Sequence, residues 1–282
     1  MNAFFASTRP GKVVNYKGTE FELPILYFRD DLFLLFFAAD FGRVKAAMPS
    51  DKLNPVRMFG NRALVGFAAF NYIETTIGPY GEVGVVVPAI YGAKSLPLGL
   101  SALLESRQPG FGMVVLHLPV TTTQARDGGR EGWGYSKFVA DMRFVVTPEF
   151  MECRLSEVDR HILTMSVAKR GLAIRDSRPL VTFSVKDRNL IKTTIPQTGT
   201  YRFSMYPRGS YVQFGDHEVS RSIQELGLSS RPVLSRYYLE RSAILPVGEV
   251  IEQGVRPLEG YYGQERDGEH AVLYREGSSE AI

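Results

Sequence analysis

Long runs of consecutive apolar residues recur in the first third of the chain and predict strands that are buried on both faces. The first is LFLLFFAA, residues 32–39, which lies between two aspartates. ALVGFAAFNYIET (63–75) and YGEVGVVVPAIYG (80–92) follow, separated by the turn signal IGPYG. The first run is far shorter than the roughly 20 apolar residues that cross a bilayer, and Pro88 interrupts the third.

Shorter apolar runs in the rest of the chain come at the spacing expected of antiparallel strands. GMVVLHLPVTTT (112–123) is the first, and a series of others lies between residues 137 and 216. The stretch TQARDGGREGWGY (123–135) is rich in glycine and polar residues, so we predict a loop there.

Two stretches predict short helices outside the sheet. DFGRVKAAMP (40–49) begins with Asp40 as a helix cap, and HEVSRSIQELGL (217–228) ends at Gly227. Strands do not alternate with long helical segments, which argues against a parallel, doubly wound fold. The pattern therefore predicts an α+β fold, mainly an antiparallel β barrel or sandwich with a few short peripheral helices.

Length and composition fit one domain. The chain has 282 residues and is 44% hydrophobic and 12% aromatic, and its 27 glycines and 16 prolines favour strands and turns. No internal repeat or low-complexity linker divides it, so we predict a single domain over residues 1–262. The polar, charged residues 263–282 are predicted to form a loosely held C-terminal tail.

The charge balance excludes several classes of partner. The formal net charge is only +3, from 33 basic and 30 acidic residues that are well mixed along the chain. We therefore predict neither a nucleic-acid partner nor a membrane partner. The single cysteine, Cys153, cannot form an internal disulfide and fits a reducing compartment, and the N-terminus lacks a secretory pattern. A cytoplasmic location is expected.

Most common catalytic motifs are missing. The four histidines are scattered, with no i, i+4 pair and no neighbouring cysteine, so no metal site is predicted. The glycine-rich stretches PGFGMVV and GREGWGYS match neither phosphate-loop pattern, so we interpret those glycines as turns. No G-x-S-x-G nucleophile elbow occurs. Lysine chemistry is the possibility that remains.

The stretch GREGWGYSKF, residues 129–138, draws attention to Lys137. By default a lysine is a solvated surface charge, since its ordinary pKa of about 10.4 leaves the amine protonated at neutral pH. However, the stretch resembles the signature segment of the acetoacetate decarboxylase family, in which a Gly-Arg-Glu turn precedes an aromatic-x-Lys carrying the Schiff-base lysine. Three more stretches resemble family segments: FRDDLFLLFFAADFGRVKAAMP, IGPYGEVGVVVP and SAILPVGEVIE.

The resemblance implies roles for particular residues. It gives the Schiff-base role to Lys137 and the acidic active-site role to Glu82, and it places Arg29 near the family's substrate-carboxylate arginine. The aromatic residues expected to border the substrate are Tyr80, Trp133, Tyr135 and Phe138. Competing structural interpretations are a water-facing Glu82 at a strand end, an ion pair of Arg29 with a neighbouring aspartate, and aromatic side chains that only pack.

The chain also departs from the family pattern. Decarboxylases of the family place a second lysine directly after the nucleophile, and its charge lowers the pKa of the first. Phe138 stands at that position here, and it either desolvates the site or faces the core, because successive strand residues point to opposite faces. The family's earlier glutamate has no match, since the chain offers Phe67 and Ala68 there; Asn71 or Glu74 would be the nearest substitutes.

The function expected is that of a carbon–carbon lyase that forms a Schiff base between Lys137 and a small oxo acid, most simply by decarboxylating a β-keto acid. Because of the departures, aldol, retro-aldol or dehydration chemistry on the same lysine is an alternative. A small-molecule-binding protein without catalysis, or a hydrolase or lactonase using Glu82 as base, are two others. No metal, nucleotide or flavin cofactor is expected, and the resemblance implies a homo-oligomer.

Overall fold

A twelve-stranded sheet is the centre of the computed structural model, which describes residues 3–6, 8, 11–16, 18–96, 108–258, 260–264 and 275–276. In chain order the strands are β1 (Lys12–Tyr16), β2 (Thr19–Leu23), β3 (Ile25–Asp40), β4 (Leu53–Pro55), β5 (Arg57–Met58), β6 (Arg62–Thr75), β7 (Tyr80–Tyr91), β8 (Phe111–His117), β9 (Asp141–Val146), β10 (Phe150–Glu157), β11 (Arg160–Ala168), β12 (Leu172–Asp176), β13 (Leu180–Lys186), β14 (Asn189–Ile195), β15 (Gln197–Met205), β16 (Tyr211–Phe214), β17 (Pro232–Leu245), β18 (Glu249–Gln253) and β19 (Arg275–Glu276). The α-helices are α1 (Phe41–Ala46), α2 (Thr123–Trp133) and α3 (Glu218–Gln224).

The long sheet has the order β12-β15-β17-β3-β6-β7-β8-β13-β14-β18, with β4 beside β7 and β5 beside β6. Its pairings are antiparallel except that of β8 with β13. A second sheet has the order β16-β11-β10-β9-β19, and β1 pairs with β2. Over the described residues the long sheet does not close on itself. The predicted α+β class is therefore confirmed in its sandwich form.

Strand β3 is buried on both faces, which explains its unbroken apolar run. Phe33, Leu35 and Phe37 enter a first apolar cluster, whereas the alternating residues Leu32 and Phe36 enter a second. Side chains of successive strand residues point to opposite faces. The sheet therefore separates two cores, and the first of them also contains buried side chains of the five-stranded sheet.

Strands β6 and β7 repeat this alternation. On β7, Val83, Val85 and Val87 belong to the first cluster, so Glu82 and Gly84 face the side of the second. Here a large cavity lies against the sheet. Strands from both ends of the strand order contribute to its lining, so the sheet curves around it. The position of Glu82 in the strand register therefore directs its carboxylate into the cavity.

The sequence analysis was wrong about residues 123–135, where it predicted a loop and interpreted the glycines as turns. The structure has helix α2 there. The Thr122 side chain accepts a hydrogen bond from the Ala125 amide at the start of the helix, and Gly134 ends it in the left-handed conformation with φ 67°. Inside the helix, a Cβ on Gly128 would lie 2.7 Å from the Phe21 ring. These glycines lower helix propensity but allow close packing, which propensity alone does not reveal.

The other two helices agree with their predictions. Asp40 caps α1 by accepting a hydrogen bond from the amide of Arg43, and α3 begins after His217 and is followed by Gly227 with φ 68°. No helix in the described segments is long and apolar enough to cross a membrane.

The predicted C-terminal tail lies mostly outside the described residues. Residues 260–264, at the predicted boundary of the domain, pack against the segment that carries Lys137. The short strand β19 pairs in parallel with β9 at the edge of the five-stranded sheet. The boundary at residue 262 stays a prediction.

Candidate active site

A buried ion pair between Lys137 and Glu82 lies at the wall of the cavity. The Nζ atom of Lys137 donates to Oε2 of Glu82 at 2.7 Å, and the two residues are only 5% and 6% exposed. Charged groups are almost never buried to this extent without a partner. The structure thus brings together the two residues to which the sequence resemblance gave catalytic roles.

A short connecting segment places the two residues side by side although 55 residues separate them in the chain. The Val120 amide donates to the Phe138 carbonyl at 2.9 Å, and the Leu118 amide donates to the Ser136 carbonyl at 3.1 Å. Val120 also forms a bridge to Glu82 on β7. The residues after β8 therefore lie between the two functional segments and fix their spacing.

Helix α2 and its Arg130 hold the Lys137 segment from the other side. Arg130 Nε donates to the Lys137 carbonyl at 2.7 Å, and the Lys137 amide donates to the Tyr135 carbonyl at 2.8 Å. A Cβ on Gly129 would lie 2.5 Å from Cδ and Cε of Lys137. The glycine therefore leaves the space through which the lysine side chain reaches Glu82.

Residues 260–264 cover the outer side of the Lys137 segment. The ring of Tyr261 packs edge-on against Phe138 with centroids 5.0 Å apart, and its hydroxyl donates to Glu157 at 2.6 Å. Glu157 is buried and also contacts His217 at 3.0 Å. Arg130 donates to the Tyr262 carbonyl at 2.6 Å. The backbone around Lys137 is thus fixed on both sides.

Four buried tyrosines surround the ion pair. Tyr72 donates to Oε1 of Glu82 at 3.3 Å, and the hydroxyls of Tyr27 and Tyr80 are 3.0 Å apart. Lys137 Nζ lies 5.8 Å from the ring centroids of both Tyr80 and Tyr135. Burial raises the pKa of all four phenols, that of Tyr135 to about 12, so all four stay neutral.

The cavity has a volume of about 680 Å³. Its lining includes apolar residues of β3, β6, β7 and β8 and the polar residues Glu82, Tyr135, Lys137, Gln197 and Arg241. Cavities of this size are typical of small-molecule sites. Among the described residues, no group of three or more histidine, cysteine, aspartate or glutamate side chains is placed to hold a metal ion.

Arg241 is a second buried cation in the lining, and the sequence analysis missed it. Its guanidinium contacts both carboxylate oxygens of Asp30, at 2.9 and 3.0 Å, and Nη1 donates to Gln197 at 2.7 Å. Burial alone would lower the pKa of Arg241, but Asp30, together with Tyr72 and Tyr238, outweighs burial, and the pKa is raised. A cation fixed in this way offers a permanent positive charge to the cavity.

The remaining sequence-predicted residues, except Tyr135, lie outside the lining of the cavity. Arg29 is exposed and lies opposite Glu74 on β6. Tyr80 and Trp133 border a much smaller void beside Lys137, and the indole of Trp133 donates to the Pro246 carbonyl at 2.8 Å. Phe138 is fully buried in the first cluster. Of the predicted aromatic residues, Tyr135 lines the cavity itself.

A known protein family matches most of the chain. The family model for acetoacetate decarboxylase matches residues 14–253. The chain belongs to the acetoacetate decarboxylase family. Comparison with curated proteins finds no match.

Solved structures of the acetoacetate decarboxylase family and its relatives share the fold. An acetoacetate decarboxylase from Legionella pneumophila is 16% identical, with a TM-score of 0.63, and the match covers 89% of this chain and 94% of that one. The enduracididine biosynthesis enzyme MppR, complexed with pyruvate, is 11% identical with a TM-score of 0.59, covering 86% and 99%. An acetoacetate decarboxylase-like enzyme from Sphingomonas wittichii RW1 is 11% identical with a TM-score of 0.57, covering 82% and 94%.

The two departures from the acetoacetate decarboxylase pattern are visible in the structure. Phe138 points into the first cluster, away from Lys137 and the cavity, as expected from strand-like alternation. Ala68 lines the cavity in the region of the missing glutamate. Asn71 alternates away from the cavity-lining residues Phe70 and Tyr72, so it does not substitute for that glutamate.

Proposed function

We propose that this protein is an enzyme that forms a Schiff base between Lys137 and the carbonyl of an oxo acid and cleaves the carbon–carbon bond on the far side of the neighbouring α-carbon. The observation that supports this most strongly is the buried contact of 2.7 Å between Lys137 and Glu82 at the cavity wall. A lysine that served only as a surface charge would be exposed to water and not buried against a carboxylate. The family membership agrees with the proposal.

The first step is a proton transfer within the ion pair. An ammonium has no lone pair, so Lys137 attacks a carbonyl carbon only after it loses a proton. Oε2 of Glu82 is hydrogen-bonded to Nζ and accepts that proton directly. Tyr72 donates to the other oxygen of the same carboxylate. The carbonyl oxygen takes one proton from the attacking nitrogen and a second from Glu82, and it leaves as water.

The second step uses the iminium as an electron sink. In a β-keto acid, the bond between the α-carbon and the carboxylate breaks, carbon dioxide departs, and the electron pair moves towards the iminium nitrogen to give an enamine. Protonation of the enamine carbon and hydrolysis of the imine release a ketone and free Lys137. Arg241 supplies a fixed positive charge that orients the substrate carboxylate before it leaves.

A second candidate reaction uses the same imine without loss of carbon dioxide. MppR, which shares this fold, has been solved with pyruvate and with the condensation product of pyruvate and imidazole 4-carboxaldehyde. The lack of a second lysine after Lys137 is the feature of this chain that favours such an aldol or dehydration reaction. Both candidates require Lys137 as nucleophile, and product analysis distinguishes them.

The proposal is tested by trapping the imine. The protein is incubated with acetoacetate or pyruvate and sodium borohydride, and its intact mass is measured beside that of the Lys137→Ala variant. Lys45→Arg is a matched control, because Lys45 is a half-buried amine whose pKa is lowered by burial and which lies outside the cavity. We expect an adduct on the wild type and on Lys45→Arg and none on Lys137→Ala.

Three results would contradict the proposal. An adduct of equal amount on Lys137→Ala would mean that another amine reacts. If no oxo acid gave an adduct, the protein would be a small-molecule binder on the same scaffold. Turnover that persists in Lys137→Ala would instead indicate a hydrolase or lactonase that uses Glu82 as base.

A further inference from the structure

The cavity has a polar end and a long apolar tract. At one end lie Lys137, Glu82 and Arg241, which supply its nucleophile, its proton acceptor and its buried guanidinium. Tyr72 lies beside them and donates to Glu82. The tract leads away from this end along the inner face of β3, β6 and β7. Polar groups at one end of an apolar cavity fix the orientation of a ligand.

The strand register gives the length of the apolar tract. Glu82 is paired with Phe70, Gly84 with Ala68, and Val86 with Gly66. Side chains two residues apart on a strand are separated by about 6.7 Å, so the tract reaches about 13 Å beyond Glu82. The pairing of β3 with β6 extends the tract sideways, because Leu34 is paired with Ala68 and Phe36 with Gly66.

Small residues in the middle of the tract keep it open. Ala68 and Gly84 are neighbours across β6 and β7, and both line the cavity. A Cβ placed on Gly84 would lie 3.3 Å from Cδ1 of Leu118, so even one carbon at this position would crowd the wall. On the opposite face of the same strands, Phe67 and Val85 fill the corresponding space completely.

The cavity is too large for a four-carbon oxo acid. Its volume of about 680 Å³ lies within the range of about 300–1,000 Å³ that encloses drug-sized ligands. Of the other charged residues of the lining, Arg178 contacts Asp176 at 2.8 Å, Lys192 contacts Glu249 at 2.9 Å, and the guanidinium of Arg236 lies 5.1 Å from the centroid of the Tyr201 ring. The lining that β3, β6 and β7 provide beyond Glu82 is apolar, and this part of the cavity therefore suits an apolar group.

We propose that the substrate is a 3-oxo acid whose carbonyl carbon carries an extended apolar chain of several carbons. This inference rests on the proposed function of Lys137 for the position of the carbonyl. With the carbonyl carbon at Lys137 Nζ and the carboxylate towards Arg241, the chain lies along the tract past Ala68, Gly84 and Val86. Burial of the chain then supplies most of the binding energy.

The preference for a long apolar chain on the ligand is measured first as a binding affinity, with carboxylates that cannot form an imine. Octanoate and butyrate have no ketone to trap, so isothermal titration calorimetry compares their affinities for the wild-type protein directly. Each buried methylene is expected to tighten binding about fourfold, the equivalent of about 0.8 kcal/mol. We expect octanoate to bind at least about tenfold more tightly than butyrate. Equal affinities would overturn the proposal.

Variants at the middle of the tract test where the apolar chain of the ligand lies. Ala68→Phe fills the tract, and Ala68→Leu does so with a smaller side chain in case the first variant does not fold. We expect either to reduce the advantage of octanoate over butyrate to about threefold or less. Val247→Phe is the control, because Val247 is 60% exposed and lies outside the cavity lining. An unchanged advantage in a folded Ala68 variant would overturn the proposed path of the chain.

Imine trapping distinguishes failure of this inference from failure of the proposed function. Borohydride adducts are titrated with acetoacetate, 3-oxohexanoate and 3-oxooctanoate, and the half-saturating concentration is expected to fall by at least about tenfold from the first to the last. Adducts with no dependence on chain length would overturn the chain preference alone. If octanoate binds tightly but no oxo acid is trapped, the cavity takes apolar acids and the Schiff-base function is wrong.

Discussion

The two faces of strands β3, β6 and β7 differ in how their space is used. On one face, Phe33, Phe67 and Val85 are fully or almost fully buried in the core shared with the five-stranded sheet. On the other face, Ala68 and Gly84 leave a cavity beside a buried lysine–glutamate pair. Both faces belong to the same backbone and the same apolar sequence. Filled packing on one side thus provides a rigid support for reactive groups on the other.

The largest effect is expected from Glu82, the proton acceptor of the cavity face. Glu82→Gln retains the shape and hydrogen-bonding capacity of the side chain but cannot accept the lysine proton, so we expect turnover of a 3-oxo acid to fall by about 10²–10⁴-fold. Glu74→Gln is the matched control, because Glu74 is an exposed glutamate on the adjacent strand. Wild-type turnover in Glu82→Gln would mean that another group moves the proton.

The second largest effect is expected on stability, and it comes from the buried ion pair of Asp30 with Arg241 on the cavity face. Asp30→Asn leaves the Arg241 guanidinium, which is 2% exposed, without a compensating charge. We expect the free energy of unfolding in urea to fall by about 3–5 kcal/mol. The exposed neighbour Arg29→Gln is expected to change it by no more than about 0.5 kcal/mol. Similar values for the two variants would contradict the assignment of Arg241 as a paired, buried cation.

On the filled side, a titratable group is buried without a charged partner. Burial, with a smaller contribution from His217, lowers the pKa of His117 from 6.5 to about 4. Its Nε2 is 3.1 Å from the Ser222 hydroxyl, and its Nδ1 has no hydrogen-bond partner among the described residues. The folded protein therefore resists protonation at this position more than the unfolded chain does.

Stability linked to His117 is complete above pH 6.5 and is lost as the pH falls towards 4. Between pH 7 and pH 4.5 we expect this residue to account for a loss of about 2.5 kcal/mol in the free energy of unfolding. Urea unfolding of wild type and His117→Gln at both pH values measures it as the difference between their pH dependences. Parallel pH dependences would show that His117 titrates normally in the folded protein.

The smallest predicted effect tests the fit of helix α2 against the reactive lysine. Gly129→Ala places a methyl group within 2.5 Å of the Lys137 side chain, so we expect imine trapping to slow by at least about tenfold. In Gly132→Ala, the nearest atoms are those of the Tyr16 ring at 3.3 Å. Both substitutions raise helix propensity equally. Slowing by both would implicate the helix as a whole instead of the contact at Gly129.

Sequence reasoning located the strands and the central pair because both carry local signals. The runs at 32–39, 63–75 and 80–92 are apolar on both faces, and they correspond to β3, β6 and β7. Lys137 and Glu82 lie in stretches that resemble a family signature. Their direct contact was not predicted, and it follows from the bridge through Val120 and not from either stretch alone.

The rest of the site depends on contacts between distant parts of the chain. Helix α2 was predicted as a loop because its glycines lower helix propensity, and their reason is the close packing with Phe21 and Lys137. Arg241 was missed because its partner Asp30 is 211 residues away. Nor does the sequence give the size of the cavity, because residues from strands at both ends of the sheet line it.

The most direct test of the central claim is to map the reduced adduct. Wild-type protein trapped with a 3-oxo acid and borohydride is digested, and tandem mass spectrometry identifies the modified lysine. The buried contact with Glu82 predicts that the modification lies on Lys137, with Lys45 and the cavity-lining Lys192 unmodified. Modification of a different lysine, with Lys137 unmodified, would contradict the assignment of Lys137 as the nucleophile.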